Sequence, residues 1–320
     1  MANDTWSTVL HYGPATFMNR PFVKCEEKSL KQTGAKAAVY GFPFDCTTIV
    51  RTGSTMGPRR TREMSELYIP YSFEYDQDIV EKYGLVDVGD IPVKLGDAKE
   101  TMVRGKDFVL EMLKAGVMPV MIGGEHMTPI MPAMALAEFN PNGNYGYIHF
   151  DSHLDTATDV GGDPWNHCCP IPRVMETGVF KPENAVLIGP GGAMNPMAEY
   201  EYVKEKGITL YTSKDIWTRG IVPIMEEAVK IASEGTDGVY LTIDMDALEA
   251  CYTPGTCAPT PGGMTTREML QAIDIMGKVN LVGFDVAEVA PPYDHSDISA
   301  ITAARFIVDM LASRARYLDD

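Results

Sequence analysis

Eight short apolar runs punctuate this chain: Ala37–Gly41, Leu85–Val88, Val117–Ile122, Tyr145–Phe150, Ala185–Gly189, Ile208–Tyr211, Gly238–Ile243 and Leu281–Val286. Most are continuously apolar rather than alternating, as expected of strands in a parallel sheet covered on both faces. Helix-compatible stretches separate most of them, among them Asp97–Lys114, Pro196–Lys206, Ile221–Ser233 and Thr265–Ile275. Strand and helix in alternation predict a three-layer α/β fold with right-handed crossovers. No repeat, low-complexity tract or linker divides the sequence, so residues 1–320 are expected to form one domain. Residues 1–35 and Pro70–Lys82 read as irregular.

Polar residues fall at informative places in this pattern. His126, Asp151, Asp244 and Glu288 each follow the carboxyl end of an expected strand, the edge along which open α/β sheets bind ligands. Side chains alternate along a strand, so Asp151, His153 and Asp155 leave the chain on one side, as do Asp244 and Asp246. Four carboxylates in one place repel each other unless cations intervene, and oxygen and imidazole donors suit hard to borderline divalent ions. The pattern points to a two-metal hydrolase. One ion takes His126, Asp151, Asp155 and Asp244; the other takes His153, Asp151, Asp244 and Asp246. Asp151 and Asp244 then bridge ions roughly 3.5–4 Å apart, and a bridging water ionises near pH 7. His149 shares this parity but lies one step deeper in its strand. It reads as a buried, hydrogen-bonded histidine rather than a seventh ligand.

Charge and cysteine usage narrow the setting. Lys+Arg 27 against Asp+Glu 44 gives a net charge of −17, which argues against nucleic acid or an anionic membrane as partner; it would attract a cationic small molecule, although solubility alone makes many proteins acidic. No stretch approaches the roughly 20 apolar residues of a membrane span, and the start carries no secretory signal pattern. The six cysteines form neither a disulfide framework nor a zinc knuckle. Reduced thiols in a cytoplasm are the expectation.

Several motifs together resemble the ureohydrolase (arginase/agmatinase) family: Gly13–Met18, Gly41–Asp45, Arg51–Pro58, Gly123–His126, His149–Asp155, Leu241–Asp246, Pro254–Thr256, Pro261–Gly263 and Gly283–Glu288. The resemblance implies an α/β/α sandwich around an eight-stranded, mainly parallel sheet, with two manganese ions in most members. It implies hydrolysis of a guanidinium C–N bond, releasing an amine and urea or a urea derivative. Glu288 matches the glutamate that holds the guanidinium, and His167 matches the histidine proposed to shuttle protons. Relatives form trimers and hexamers, so a homo-oligomer or a mixed assembly with a paralogue is implied.

The chain departs from that pattern around the expected pocket. Met127 stands where the family has Ser, and Cys168-Cys169 stand where it has Gly-Thr or Gly-Asn. The Gly-Thr-Gly-Thr-Pro run appears as Gly255-Thr-Cys-Ala-Pro259, and the second Asp motif ends in Glu249-Ala250. A less polar site lined by Met127, Cys168, Cys169 and Cys257 follows, suited to a small or alkylated guanidine or a biguanide such as metformin, with agmatine the family default. The cysteines also admit sulfur ligation, which would favour nickel, copper or zinc, although packing as small hydrophobes and pocket lining are the preferred readings. Two other functions compete: a non-catalytic partner subunit of an active homologue, and a deacetylase-like hydrolase with one zinc. The complete ligand set with Glu288 and His167 opposes the first, and the second Asp pair opposes the other.

Overall fold

The computed structural model describes residues 15–318; Gly13 and Pro14 of the first motif lie outside them. Eight parallel strands form the central sheet: β1 Ala37–Gly41, β2 Val86–Asp90, β3 Met118–Ile122, β4 Tyr145–Phe150, β5 Phe180–Ile188, β6 Thr209–Tyr211, β7 Gly238–Asp244 and β8 Leu281–Ala287. Their spatial order is β2-β1-β3-β8-β7-β4-β5-β6. Each coincides with one of the apolar runs. The largest difference is β5, which starts at Phe180. Its opening Lys181–Glu183 is too polar to read as strand, and it pairs with β4 across a register irregularity.

Helices cover both faces, and the strand parity shows which residues they meet. Val39, Val120, Ile148, Phe150, Leu241 and Ile243 point to the face covered by helices Ile221–Ser233, Thr266–Met276 and Ile298–Ala315. Ala38, Tyr40, Met121, Tyr147 and Tyr240 point to the other, where helices Glu27–Thr33, Ala98–Ala115, Ile130–Phe139 and Pro170–Glu176 lie. Helix Ile298–Ala315 is buried along most of its length, and a helix enclosed all round carries no polar stripe.

Two segments expected to be irregular are partly ordered. Glu27–Thr33 is a helix that buries Leu30 and closes on Gly34 in the left-handed conformation. Within Pro70–Lys82, Tyr71–Ser72 pairs antiparallel with Gln77–Asp78. The Asp78 carboxylate then accepts from the backbone N–H groups of Val80 and Glu81, capping helix Ile79–Tyr83. Such short elements are stabilised by tertiary burial and caps rather than by length, so the local pattern underweights them.

The order of the sheet places the chemistry. The four central neighbours β3, β8, β7 and β4 deliver His126, Glu288, Asp244 and Asp151 at one edge.

Candidate metal centre and active site

The Gly123-Gly124-Glu125-His126 turn leaves β3 between the ends of β1 and β8. A Cβ on Gly124 would lie 2.2 Å from the Phe44 carbonyl oxygen and 2.5 Å from that of Phe42, so only glycine permits this approach. His126 is thereby set in a buried position where three carboxylates converge on its Nδ1: Asp151 Oδ2 at 2.8 Å, Asp244 Oδ2 at 3.1 Å and Asp155 Oδ2 at 3.2 Å. A second group forms beside it. His153 Nδ1 lies 3.2 Å from Asp151 Oδ1 and 3.3 Å from Asp246 Oδ2. Asp151 belongs to both groups.

Beneath these donors runs a buried polar column on one face of the sheet. His126 Nε2 lies 2.8 Å from Thr242 Oγ1, and that hydroxyl donates to Asp285 Oδ1 at 2.7 Å. Tyr240 and Thr128 also donate to Asp285. The Thr242 proton is committed to Asp285, so its oxygen accepts from His126 Nε2–H. Nδ1 then faces the carboxylates, protonated while they are its partners and a lone-pair donor once a cation takes that proton's place. Holding a ligand imidazole from behind in this way typically changes metal affinity 10–100-fold. Thr242→Val, which keeps shape and removes both bonds, is expected to weaken metal retention about tenfold or more in a chelator competition.

His149 is fully buried. Its Nε2 lies 3.1 Å from Asp151 Oδ2, its Nδ1 lies 3.0 Å from the Tyr147 hydroxyl, and its ring stacks on His126. Burial pushes its pKa down to about 4. A neutral ring donating to Asp151 and accepting from Tyr147 satisfies every one of these contacts.

Two site residues have backbones in the left-handed region, Asp155 at φ 51° and Glu288 at φ 66°, a conformation that costs energy for any residue other than glycine. In Glu288 it is held by the backbone N–H donating to the Gly124 carbonyl. Glu288 Oε1 accepts from the His126 backbone N–H at 2.8 Å, whereas Oε2 is buried without a hydrogen-bond partner. A carboxylate oxygen left bare in a buried cavity is an invitation to a cationic donor.

The arginase family model matches residues 35–312. This chain belongs to the arginase family. As a ureohydrolase it is agmatinase-like. It is 36% identical over 285 residues to the agmatinase of Bacillus cereus, covering 87% of this chain and 91% of that one. It is 31% identical over 303 residues to the human mitochondrial guanidino acid hydrolase, covering 93% and 84%. The solved proclavaminate amidino hydrolase of Streptomyces clavuligerus superposes with a TM-score of 0.87 at 28% identity, covering 96% of this chain and 99% of that one. The reaction class of such ureohydrolases is amidino C–N hydrolysis, outside the peptide bonds. Among the described residues, no helix is long and apolar enough to cross a membrane.

The ureohydrolase cleft is a cavity of about 120 Å³ with His126, His153, Asp155, Asp244, Asp246 and Glu288 as its floor and Ile49, Val50, Cys168, Met194, Pro196 and Ala258 among its walls. Of the four residues expected to line it, only Cys168 does. Met127, Cys169 and Cys257 are fully buried. Met127 packs in the core among Phe42, Phe44 and Met131, because the turn that aims His126 at the carboxylates rotates the next side chain inward. The Cys257 thiol is instead a neighbour of Glu288; burial and then that carboxylate push its pKa up. Cys168 and Cys169 lie outside both donor groups, and burial raises the pKa of each. They are neutral thiols in neutral solution.

His167 is placed beside Glu288, with Nδ1 3.8 Å from Oε1. Burial opposes a charge on its ring while Cys168 and Glu288 favour one, and the backbone contact to Ile49 decides for the neutral form. The Ile49 N–H donates to Nε2 at 3.2 Å, which requires a lone pair there and leaves the Nδ1 proton facing Glu288. Thr47 fixes the loop: its hydroxyl accepts from His167 N–H and donates to the buried Glu125. Burial drives the Glu125 pKa to about 7. Sequence reasoning passed over Thr242, Asp285, Glu125 and Thr47. Thr242 and Asp285 carry a legible signal, polar residues inside apolar strands at the parity of Asp244; Thr47 carries none.

The carboxylates also make a pH prediction with a definite sign. Burial and then the Asp151 charge push Asp155 up to about 7, and burial with neighbouring carboxylates likewise raises Asp244. A carboxylate with a raised folded pKa binds more protons folded than unfolded between its ordinary value and the raised one. Folding stability therefore falls as pH rises through that window. His126 and His153, also raised, act in the same direction at higher pH, while His149, held down at about 4, opposes them below its ordinary value and is outnumbered by the raised carboxylates Asp155, Asp244 and Glu125. Chelator-treated protein is expected to melt at a lower temperature near pH 7 than near pH 5. Divalent ions should reverse that order, since their binding displaces protons. Identical pH trends with and without metal would contradict this.

Proposed function

We propose that the chain is a binuclear metal-dependent hydrolase of a cationic guanidino compound. The observation that supports this most is the convergence of two donor groups sharing Asp151 with a buried, unpartnered Glu288 oxygen in the same small cavity. His126, Asp151, Asp155 and Asp244 would hold one ion, and His153, Asp151, Asp244 and Asp246 the other. The fit is good: three carboxylate oxygens already surround His126 Nδ1 at 2.8–3.2 Å, and buried carboxylates in this number need divalent charge to stay ionised. When bound, the ions supply Lewis acidity and a water acidic enough to act as nucleophile near neutral pH.

The chain's own groups do the rest. Glu288 pairs with the planar guanidinium and turns its carbon toward the metal floor, an orientation effect worth orders of magnitude in rate. His167, with its Nδ1 proton directed at Glu288, is the group placed to protonate the departing amine. The apolar walls favour a small or alkyl-substituted guanidine or biguanide, or the short chain of agmatine. Manganese and nickel both suit the donor set. The test is urea or amine release by protein reconstituted with either metal, across a panel of guanidines and biguanides. Turnover of at least one is expected. Inactivity on all of them with two ions bound per chain would overturn the reading.

A further inference from the structure

The group placed to protonate the departing amine stands on a loop, and a loop holds a side chain only as firmly as its tethers allow. His167 faces a second loop, the one that leaves β1 and runs through Cys46, Thr47, Thr48, Ile49 and Val50. Cys46, Ile49 and Val50 are exposed. Between them Thr47 is half-buried and commits its whole polar inventory to the site. Its N–H donates to Glu125 Oε2 at 2.8 Å, and its hydroxyl donates to Glu125 Oε1 at 2.6 Å. The same hydroxyl oxygen accepts from the His167 N–H at 3.0 Å, and the Thr47 carbonyl accepts from Asn166 Nδ2 at 2.9 Å. Glu125 is fully buried in the turn that ends in His126. One hydroxyl thus joins the turn that aims a metal-site imidazole to the loop that carries His167.

The consequence reaches the imidazole ring. Two residues beyond Thr47, the Ile49 N–H meets His167 Nε2 at 3.2 Å. Nε2 is therefore the acceptor and Nδ1 bears the proton, 3.8 Å from Glu288 Oε1. Turning the ring over would exchange these roles and set a lone pair against the carboxylate. The side chain alone does not prevent it, because the second torsion of histidine is broad and roughly two-fold. What prevents it is the spacing between the Ile49 N–H and the His167 backbone. Thr47 sets that spacing, since it binds the backbone of His167 and the side chain of Asn166 while its own N–H and hydroxyl are anchored on Glu125.

We propose that Thr47 is a positioning residue for the reaction: its hydroxyl fixes the His167 ring with Nδ1–H toward Glu288 and the guanidinium seated there. This rests on the hydrolase reading above and adds to it how the proton donor is oriented. Hydrolysis puts the hydroxyl of water on the guanidine carbon and a proton on the departing nitrogen. A strongly basic alkylamine depends on that proton to leave, whereas a weakly basic amine depends on it far less.

The test is Thr47→Val, which keeps the shape and the backbone N–H and deletes the hydroxyl, beside Thr47→Ser, which restores it. Two substrates of similar size separate the roles: ethylguanidine, whose amine is strongly basic, and trifluoroethylguanidine, whose amine is weakly basic. Thr47→Val should lower kcat on ethylguanidine by about tenfold to a hundredfold, the scale of a misplaced catalytic group, with KM and metal content unchanged. Turnover of trifluoroethylguanidine should fall clearly less, and Thr47→Ser should recover both. An equal loss on the two substrates, or a loss of metal, would mean that Thr47 only braces the loop, and the proposal would be wrong. Nitrogen NMR of histidine-labelled, zinc-loaded protein reads the ring without turnover, with the His167 signals identified by their absence from His167→Asn. Wild type is expected to show a neutral ring protonated at Nδ1, and Thr47→Val an average of the two tautomers. A wild-type ring that already averages overturns the proposal even if the valine variant does not fold. Wild type inactive on every guanidine with two ions bound would remove the hydrolase reading, and the ring spectra would still decide what Thr47 does.

Discussion

Replacing Asp151 or Asp244 with Asn is expected to remove bound metal and activity together. Asp151 faces His126 through Oδ2 and His153 through Oδ1, so it serves both donor groups at once. Asp244 sits 3.1 Å from His126 Nδ1 through Oδ2, while Oδ1 accepts from the Asp246 N–H. An amide preserves the backbone contact but turns an NH₂ toward the ion and deletes one charge from each site. Lewis-acid and nucleophile-generating effects are worth several kcal/mol, so the loss of turnover should reach about a thousandfold or more. Elemental analysis beside steady-state kinetics checks it. His126→Ala should instead deplete one site preferentially, leaving about one ion per chain. An Asp151→Asn protein with two ions and near-normal turnover would refute the bridging assignment.

Glu288→Gln is expected to damage substrate handling and spare the metals. The amide oxygen can still accept from the His126 N–H, as Glu288 Oε1 does at 2.8 Å, so the turn that aims His126 is retained. The other atom changes from a bare, buried acceptor to a donor facing a cation. Losing a charged hydrogen bond costs about 1.5–3 kcal/mol, or roughly one to two orders of magnitude in kcat/KM. Metal content should remain at the wild-type level. Unchanged kinetics on a cationic guanidine would show that the guanidinium is held elsewhere.

The hydrophobic pattern carried the architecture. All eight strands, the alternation with helices and the family motifs were legible because a strand's period, a helix's period and a turn's glycines are local properties of the chain. The candidate donors were legible for the same reason: Asp151, His153 and Asp155, or Asp244 and Asp246, declare a shared side by parity alone. What the pattern could not supply was adjacency. Only the order β3-β8-β7-β4 brings His126, Glu288, Asp244 and Asp151 to one cleft, and that order is set by crossovers tens of residues long. The same limit explains the pocket. Met127 and Cys169 looked like wall residues from their place beside site histidines, yet the turn geometry buries both. Glu199 and Ile49 carry no mark of the site in the sequence, yet the fold sets both on the wall of the same cavity. Local sequence decides which groups a chain can offer and on which side of an element they stand. Tertiary packing decides which of them meet, because distances between elements depend on the whole set of buried contacts rather than on any one segment.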